Sequence, residues 1–204
     1  LSNFEVNQGY QDVKDISVFV TFPLLDGEYK GANLLAWTTT PWTLPGNALT
    51  AVKEDLTYLL VESEGDKYIV AKELLESVFD GKEFKVEKEL KGSELVNAKY
   101  EPLFPFFKDH ENAFRVVTAD FVTTEEGTGI VHIAPGFGED DYELGKIEKV
   151  EPIFHVEMNG HFVPEVAEPL AKEGYEVKDV PMKKKGDTMS VDIELVKALA
   201  HKGR

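Results

Sequence analysis

Apolar residues fall on alternate positions from Ile16 to Phe22, so that Ile16, Val18, Val20 and Phe22 share one face. A two-residue period commits a segment to a half-buried strand, because successive side chains of an extended chain point to opposite faces. The pattern recurs in short runs cut by glycine and proline: residues 34–37, 58–62, 67–70, 84–87, 114–118 and 129–134 all read as strands. Asp26-Gly27 reads as a hairpin turn between the first two, and Gly65-Asp66 separates the runs at 58–62 and 67–70 in the same manner. Helical spacing is rarer. Residues 72–79 group Leu74, Leu75, Val78 and Phe79, with Gly81 as a stop. Residues 141–149 begin with acid, where a helix dipole favours it; residues 166–172 carry Pro169; residues 191–202 align Val191, Leu195 and Leu199. These signals predict a mainly β fold with peripheral α-helices, either a barrel or a sandwich. With no internal repeat or low-complexity linker, residues 1–204 are expected to form one domain: a β core over 1–157 and a less regular, more helical extension over 158–204.

The bulk properties exclude several classes. The chain starts at Leu1 and ends at Arg204 directly after a helical run, so it is expected to be a piece of a longer protein. It has no cysteine, which rules out disulfides and thiolate metal sites and fits a reducing compartment. No apolar run approaches the roughly 20 residues of a membrane helix. The net charge is −16, from 38 acidic and 22 basic residues, so long-range repulsion opposes tight binding of a phosphate backbone by this chain alone. A nucleic-acid ligand would need its attraction from elsewhere in a parent protein. The short run Lys183-Lys184-Lys185 reads as a solvated loop.

Two segments concentrate polar chemistry. In Trp37-Thr38-Thr39-Thr40-Pro41-Trp42-Thr43-Leu44-Pro45-Gly46-Asn47, the threonines suit a strand end, but Pro41 and Pro45 cannot donate ladder hydrogen bonds. The chain must leave the sheet there as a rigid loop carrying hydroxyls, an indole and an amide. A ligand-binding loop and a proline-braced turn with Trp37 and Trp42 in the core are equally compatible with this. In the second segment, residues 127–142, Val131 and Ile133 share one strand face and His132 points to the other. Pro135-Gly136 breaks the strand, and Glu139-Asp140-Asp141 opens a helix. A strand histidine is commonly structural and acids at a helix start are commonly caps. A strand, a glycine-rich turn and a helix can nonetheless bring His132 and a helix-start carboxylate to the same end of a sheet.

A metal site on His132 with Glu139, Asp140 and Asp141 lacks a second histidine at ligand spacing, since His110, His155, His161 and His201 are scattered. The acidic spacing is not that of a calcium loop. No Gly-x-Ser-x-Gly elbow occurs, and Gly136-Phe137-Gly138 is a weak phosphate-loop signal with Asp141 in the third glycine's place. There remain hydroxyls, an amide, an imidazole and a carboxylate. Such a set suits a cationic, polar substrate attacked directly by a positioned water.

Trp37 to Asn47 and Gly127-Thr128-Gly129-Ile130-Val131-His132-Ile133-Ala134-Pro135-Gly136 with Gly138 and Asp141-Tyr142 resemble the two signature segments of the isoleucyl-tRNA synthetase editing domain. This is the connective peptide 1 insertion of a class I aminoacyl-tRNA synthetase. Tyr10-Gln11-Asp12-Val13-Lys14-Asp15 is similar to the start of that insertion, and residues 192–204 resemble the helix that returns towards the catalytic domain. The resemblance is strong over roughly residues 8–62 and 114–157. The valyl and leucyl relatives carry arginine where Thr40 stands here, and the H-I-G-H and K-M-S-K-S signatures of amino-acid activation are absent.

The resemblance implies a β-barrel core with surrounding helices and a cytoplasmic, cofactor-free hydrolase. It implies proofreading of Val-tRNA(Ile) and of valyl-adenylate, with no amino-acid activation. Proofreading is needed in that family because one methylene is worth only about 1–3 kcal/mol of discrimination, for which isoleucine against valine in isoleucyl-tRNA synthetases is itself the standard illustration. The implied partners are the aminoacylated 3′ end of tRNA(Ile) and the rest of the parent synthetase, with a monomeric fragment and no membrane. By position, Asp141 would hold the substrate ammonium, and Thr38, Thr39 and Thr40 would lie beside the ester and the water. Trp42 and His132 would line the side-chain pocket, Thr43 and Asn47 would be further pocket residues, and Glu139 and Asp140 would be caps. The alternatives are a catalytically silent aminoacyl-adenosine binding module, or a metal-dependent hydrolase centred on His132 and the acidic run.

Overall fold

The computed structural model describes residues 16–183 and 186–204. The segment 10–15 and Lys184-Lys185, singled out above, lie outside them. Strands β1 (Val18–Pro23), β2 (Asn33–Thr38), β4 (Thr57–Ser63), β5 (Asp66–Ala71) and β6 (Lys85–Lys91) form one sheet in the order β1-β2-β5-β4-β6. The β2/β5 pair is parallel and the other neighbours are antiparallel. Strands β3 (Leu49–Val52), β7 (Arg115–Thr118) and β8 (Val131–Ile133) form a second sheet, β7-β3-β8, with β7 parallel and β8 antiparallel to β3. Among the described residues there are four α-helices: α1 (Leu75–Val78), between β5 and β6, and α2 (Glu139–Glu148), α3 (Pro164–Lys172) and α4 (Ser190–His201), after β8.

The mainly β reading with peripheral helices holds, but the expected barrel does not: among the described residues the strands make two open sheets. The edges explain it. β6 is a run of alternating charge with five of its seven residues exposed, and a charged edge resists pairing with a further strand. The edge strands of the second sheet are only four and three residues long. The two sheets meet closely where β4 and β5 pass the residues ahead of β8. Ala71 N–H donates to the Thr128 carbonyl (2.8 Å), and the Tyr58 hydroxyl donates to the Gly129 carbonyl (2.8 Å). Gly129 has φ +74°, and a Cβ there would stand 2.4 Å from that of Ala71, so only glycine fits.

Other local expectations change in detail. The hairpin between β4 and β5 turns on Glu64 and Gly65, both at positive φ (54° and 92°), one residue before the pair expected. Asp26-Gly27 does not make a tight hairpin. It sits in a nine-residue connection closed by Leu24 N–H to the Ala32 carbonyl (2.9 Å), and Asp26 accepts the Lys99 N–H (2.7 Å). Helices α2 and α3 each begin two residues earlier than expected, at Glu139 and at Pro164. Proline is at ease in the first turn, where no N–H is needed.

Two apolar clusters carry the fold. The larger packs Phe22, Leu34, Tyr58, Ile69, Tyr100, Leu170 and Leu195 around the five-stranded sheet. The smaller packs Leu49, Ala51, Val117, Ile133, Leu144 and Ile153 between the second sheet and α2.

Candidate functional site

The segment after β2 leaves the sheet as a six-residue 3-10 turn, Pro41–Gly46, with Pro41 at its start. This is the rigid loop the two prolines demand. Gly46 is required by packing, since a Cβ there would lie 2.2 Å from Nδ1 of buried His155. β8 lies against β2, and Gly138 is the N-cap residue of α2. These pieces enclose a pocket of about 340 Å³ lined by Trp37, Thr38, Thr39, Thr40 and Thr43 on one side and residues 127–132 on another. Ala134, Phe137 and Asp141 complete it, with Phe121, Thr123 and Glu126 from the loop ahead of β8. The two signature segments therefore meet in one pocket. Among the described residues its lining carries two carboxylates, Asp141 and Glu126, and no lysine or arginine.

The hydroxyl row is ordered. The Thr40 N–H donates to Thr38 Oγ1 (3.1 Å), the two hydroxyls lie 3.3 Å apart, and the Thr43 hydroxyl donates to the Thr40 carbonyl (2.8 Å). Thr38 and Thr43 are buried while Thr39 and Thr40 are exposed. Asp141 is fixed by one oxygen: Oδ2 accepts the Ala134 N–H (2.8 Å). Burial raises its pKa, the Ala134 hydrogen bond works against that rise, and neighbouring Asp140 adds to it. A cation placed beside it would reverse the burial penalty. Glu139 and Asp140 share the first turn of α2 with Asp141, but no side chain caps the helix at Gly138, so their part there is charge against the dipole alone.

His132 is buried at the back of the pocket, and both ring nitrogens are engaged. Nε2 lies 2.9 Å from Thr43 Oγ1, and Nδ1 lies 3.1 Å from Asn47 Nδ2. Desolvation first, then the proximity of His155, pull its pKa down to about 4, so it is neutral near pH 7. Among the described residues no group of three or more His, Cys, Asp or Glu is placed to hold a metal ion. Trp42 and Asn47 do not line the pocket. The Trp42 ring packs edge-on against Phe137 (5.3 Å between centroids), and Asn47 stands behind His132.

A comparison with protein-family models found no match. Curated relatives are isoleucine–tRNA ligases: that of Picrophilus torridus is 49% identical over 162 residues, covering 79% of this chain and 15% of the relative. The Clostridium tetani protein is 41% identical over 203 residues, covering 100% of this chain and 18% of its own length. The chain belongs to the isoleucyl-tRNA synthetase family. It spans less than a fifth of the length of these relatives. Among solved structures, the fold matches a LeuRS CP1 domain, GlLeuRS-CP1, with a TM-score of 0.58 at 18% identity, over 91% of this chain and 82% of that one. It also matches the editing domain of the P. knowlesi cytosolic leucyl-tRNA synthetase, with a TM-score of 0.51 at 14% identity, over 94% and 86% of the two chains. Within the synthetase, this segment thus has the fold of an editing domain. Among its described residues no helix is long and apolar enough to cross a membrane.

Several groups around this synthetase pocket escaped the sequence reading. Phe121, Thr123 and Glu126 lie on an irregular loop, where no periodicity marks a residue as facing inward. Asp192 looked like an ordinary first-turn acid of the last helix. It is 1% exposed, and its carboxylate accepts the Trp42 N–H (2.7 Å) and the Lys183 ammonium (2.7 Å), tying α4 to the 3-10 turn. His155, also buried, donates from Nε2 to the Trp42 carbonyl (2.9 Å). The backbone of Trp42 is therefore held from both sides.

Proposed function

We propose that this pocket hydrolyses the ester of mischarged Val-tRNA(Ile), and the acyl-phosphate anhydride of valyl-adenylate, for a parent isoleucyl-tRNA synthetase. The observation that carries the reading is the lining itself: a half-buried carboxylate and a row of hydroxyls, with no basic side chain among the described residues to compete for the carboxylate. An aminoacyl ester presents an α-ammonium, and Asp141 supplies its counter-charge as a charge-assisted hydrogen bond. Ala134 occupies one Asp141 oxygen and orients the group. Thr39, on the exposed lip, holds the attacking water together with Thr40, while Thr38 keeps Thr40 in place. Water oxygen adds to the ester carbonyl carbon, the bond to the ribose oxygen breaks, and one water proton passes to that oxygen, giving valine and the free tRNA hydroxyl. Neutral His132 with Thr43 closes the side-chain end, admitting valine and resisting the extra methylene of isoleucine. Trp42 supports that wall through Phe137, and Asn47 supports it through His132.

The net charge of −16 confines the RNA contact to the aminoacylated 3′ end, leaving the tRNA body to the rest of the synthetase. The test is deacylation of Val-tRNA(Ile) by the full-length enzyme carrying this segment. Asp141→Ala removes a charge-assisted contact, and the expected loss is roughly ten- to a hundredfold in kcat/KM. Hydrolysis at the wild-type rate would remove Asp141 from the site.

A further inference from the structure

Behind His132 lies a hydrogen-bonded chain that ends outside the pocket. The Tyr100 hydroxyl donates to Asn47 Oδ1 (2.8 Å), and Asn47 Nδ2 donates to the Leu49 carbonyl (2.9 Å). These two contacts settle which end of the amide faces the histidine. The end 3.1 Å from His132 Nδ1 is the NH2, a donor, so Nδ1 must be the unprotonated nitrogen. The ring proton is then on Nε2 and points at Thr43 Oγ1, 2.9 Å away. Thr43, receiving that proton, donates its own to the Thr40 carbonyl (2.8 Å). Asn47 Nδ2 gives one hydrogen to Leu49 and the other to His132, and the direction is set at the far end by the Tyr100 hydroxyl together with the Leu49 carbonyl.

We propose that Tyr100 is a positioning residue: through Asn47 it holds His132 as the Nε2–H tautomer and so fixes the Thr43 hydroxyl at the pocket wall. This rests on the reading of the pocket as an editing site. Tyr100 is suited to the task. It is 1% exposed, and its ring is clasped edge-on by Phe22 (5.1 Å) and Phe114 (6.2 Å). Its residue bridges Leu24 beyond β1, and its N–H donates to the Phe114 carbonyl next to β7, so both sheets fix its position. Burial drives its pKa well up, which keeps the hydroxyl a donor. Tyr100 does not line the pocket, so it acts only through the amide and the imidazole.

Tyr100→Phe keeps the ring contacts and deletes only the donor. Nitrogen-15 NMR of histidine-labelled chain reads the tautomer directly, without substrate. In the wild type, His132 should show protonated Nε2 and bare Nδ1. Tyr100→Phe should give a mixed pattern, and in the full-length synthetase a roughly tenfold lower kcat/KM for Val-tRNA(Ile) with a weaker preference for valine over isoleucine. Asn47→Asp replaces the donor facing Nδ1 with an acceptor and should move the proton to Nδ1. An unchanged tautomer in Tyr100→Phe, whatever Asn47→Asp does, or a shifted tautomer with unchanged hydrolysis and preference, would overturn the proposal. Absence of hydrolysis in the wild type would instead sink the editing assignment, while the tautomer measurement would still judge the chain of bonds.

Discussion

Acidification should weaken this fold well above the range in which carboxylates protonate. His132 and His155 are buried and neutral, each with a pKa pulled down to about 4, first by desolvation. Unfolded, each returns to the ordinary value near 6.5. The unfolded chain therefore binds more protons between these limits, and stability rises with pH across that window and is lost as pH falls through it. At pH 5.5 an unfolded histidine is about nine-tenths protonated while the buried one is almost wholly neutral. The loss from pH 8 to pH 5.5 is then between about 1 and 2 kcal/mol for each, or about 3 kcal/mol together. Asp141 works the other way, since its raised pKa lets the folded state take up a proton first. Urea unfolding followed by tryptophan fluorescence measures the difference, and with a slope of roughly 2–3 kcal/mol per molar the midpoint should drop by about 1 M. His132→Gln should cut the pH slope to about half, whatever it does to stability at pH 8. Equal stability at the two pH values, or greater stability at pH 5.5, would refute the buried, neutral assignment.

Three further perturbations probe other parts of the account. His132→Ala empties the pocket's back wall, so hydrolysis should extend to Ile-tRNA(Ile); a deacylation assay showing unchanged discrimination would take His132 out of the sieve. Gly129→Ala drives a Cβ to within 2.4 Å of Ala71 Cβ at a φ of +74°, and should cost at least about 2–3 kcal/mol in denaturant unfolding. Asp192→Ala strips the Trp42 N–H and the Lys183 ammonium of an acceptor. Stability should fall by about 1–3 kcal/mol, and trypsin should cleave more readily near Lys183 if α4 is indeed pinned there.

How far the chain's own pattern revealed this arrangement depended on burial. β1 was legible because one face is buried and the other open, which writes alternation into the residues. β3 was not, because all four of its residues are buried. A strand covered on both faces has no polar side to mark its period. The pairing of the threonine row with Asp141 was legible from a strand break, glycines and a helix start, all of which act locally. Trp42 and Asn47 were placed one layer too far forward, since proximity in sequence to Thr43 does not say which side of a 3-10 turn faces the cavity. The barrel failed for a nonlocal reason: closure depends on what the edge strands find to pair with, and β6 offers charge. Asp192 shows the same limit, for its partner Trp42 lies 150 residues away.

A structure of this chain bound to a non-hydrolysable valyl-adenosine analogue bears on the central claim more directly than any rate. The account predicts the α-ammonium within about 3 Å of the Asp141 carboxylate, the valine side chain against His132 and Thr43, and the carbonyl beside Thr39 and Thr40. An analogue bound outside this pocket, or bound within it with its ammonium turned away from Asp141, would contradict it.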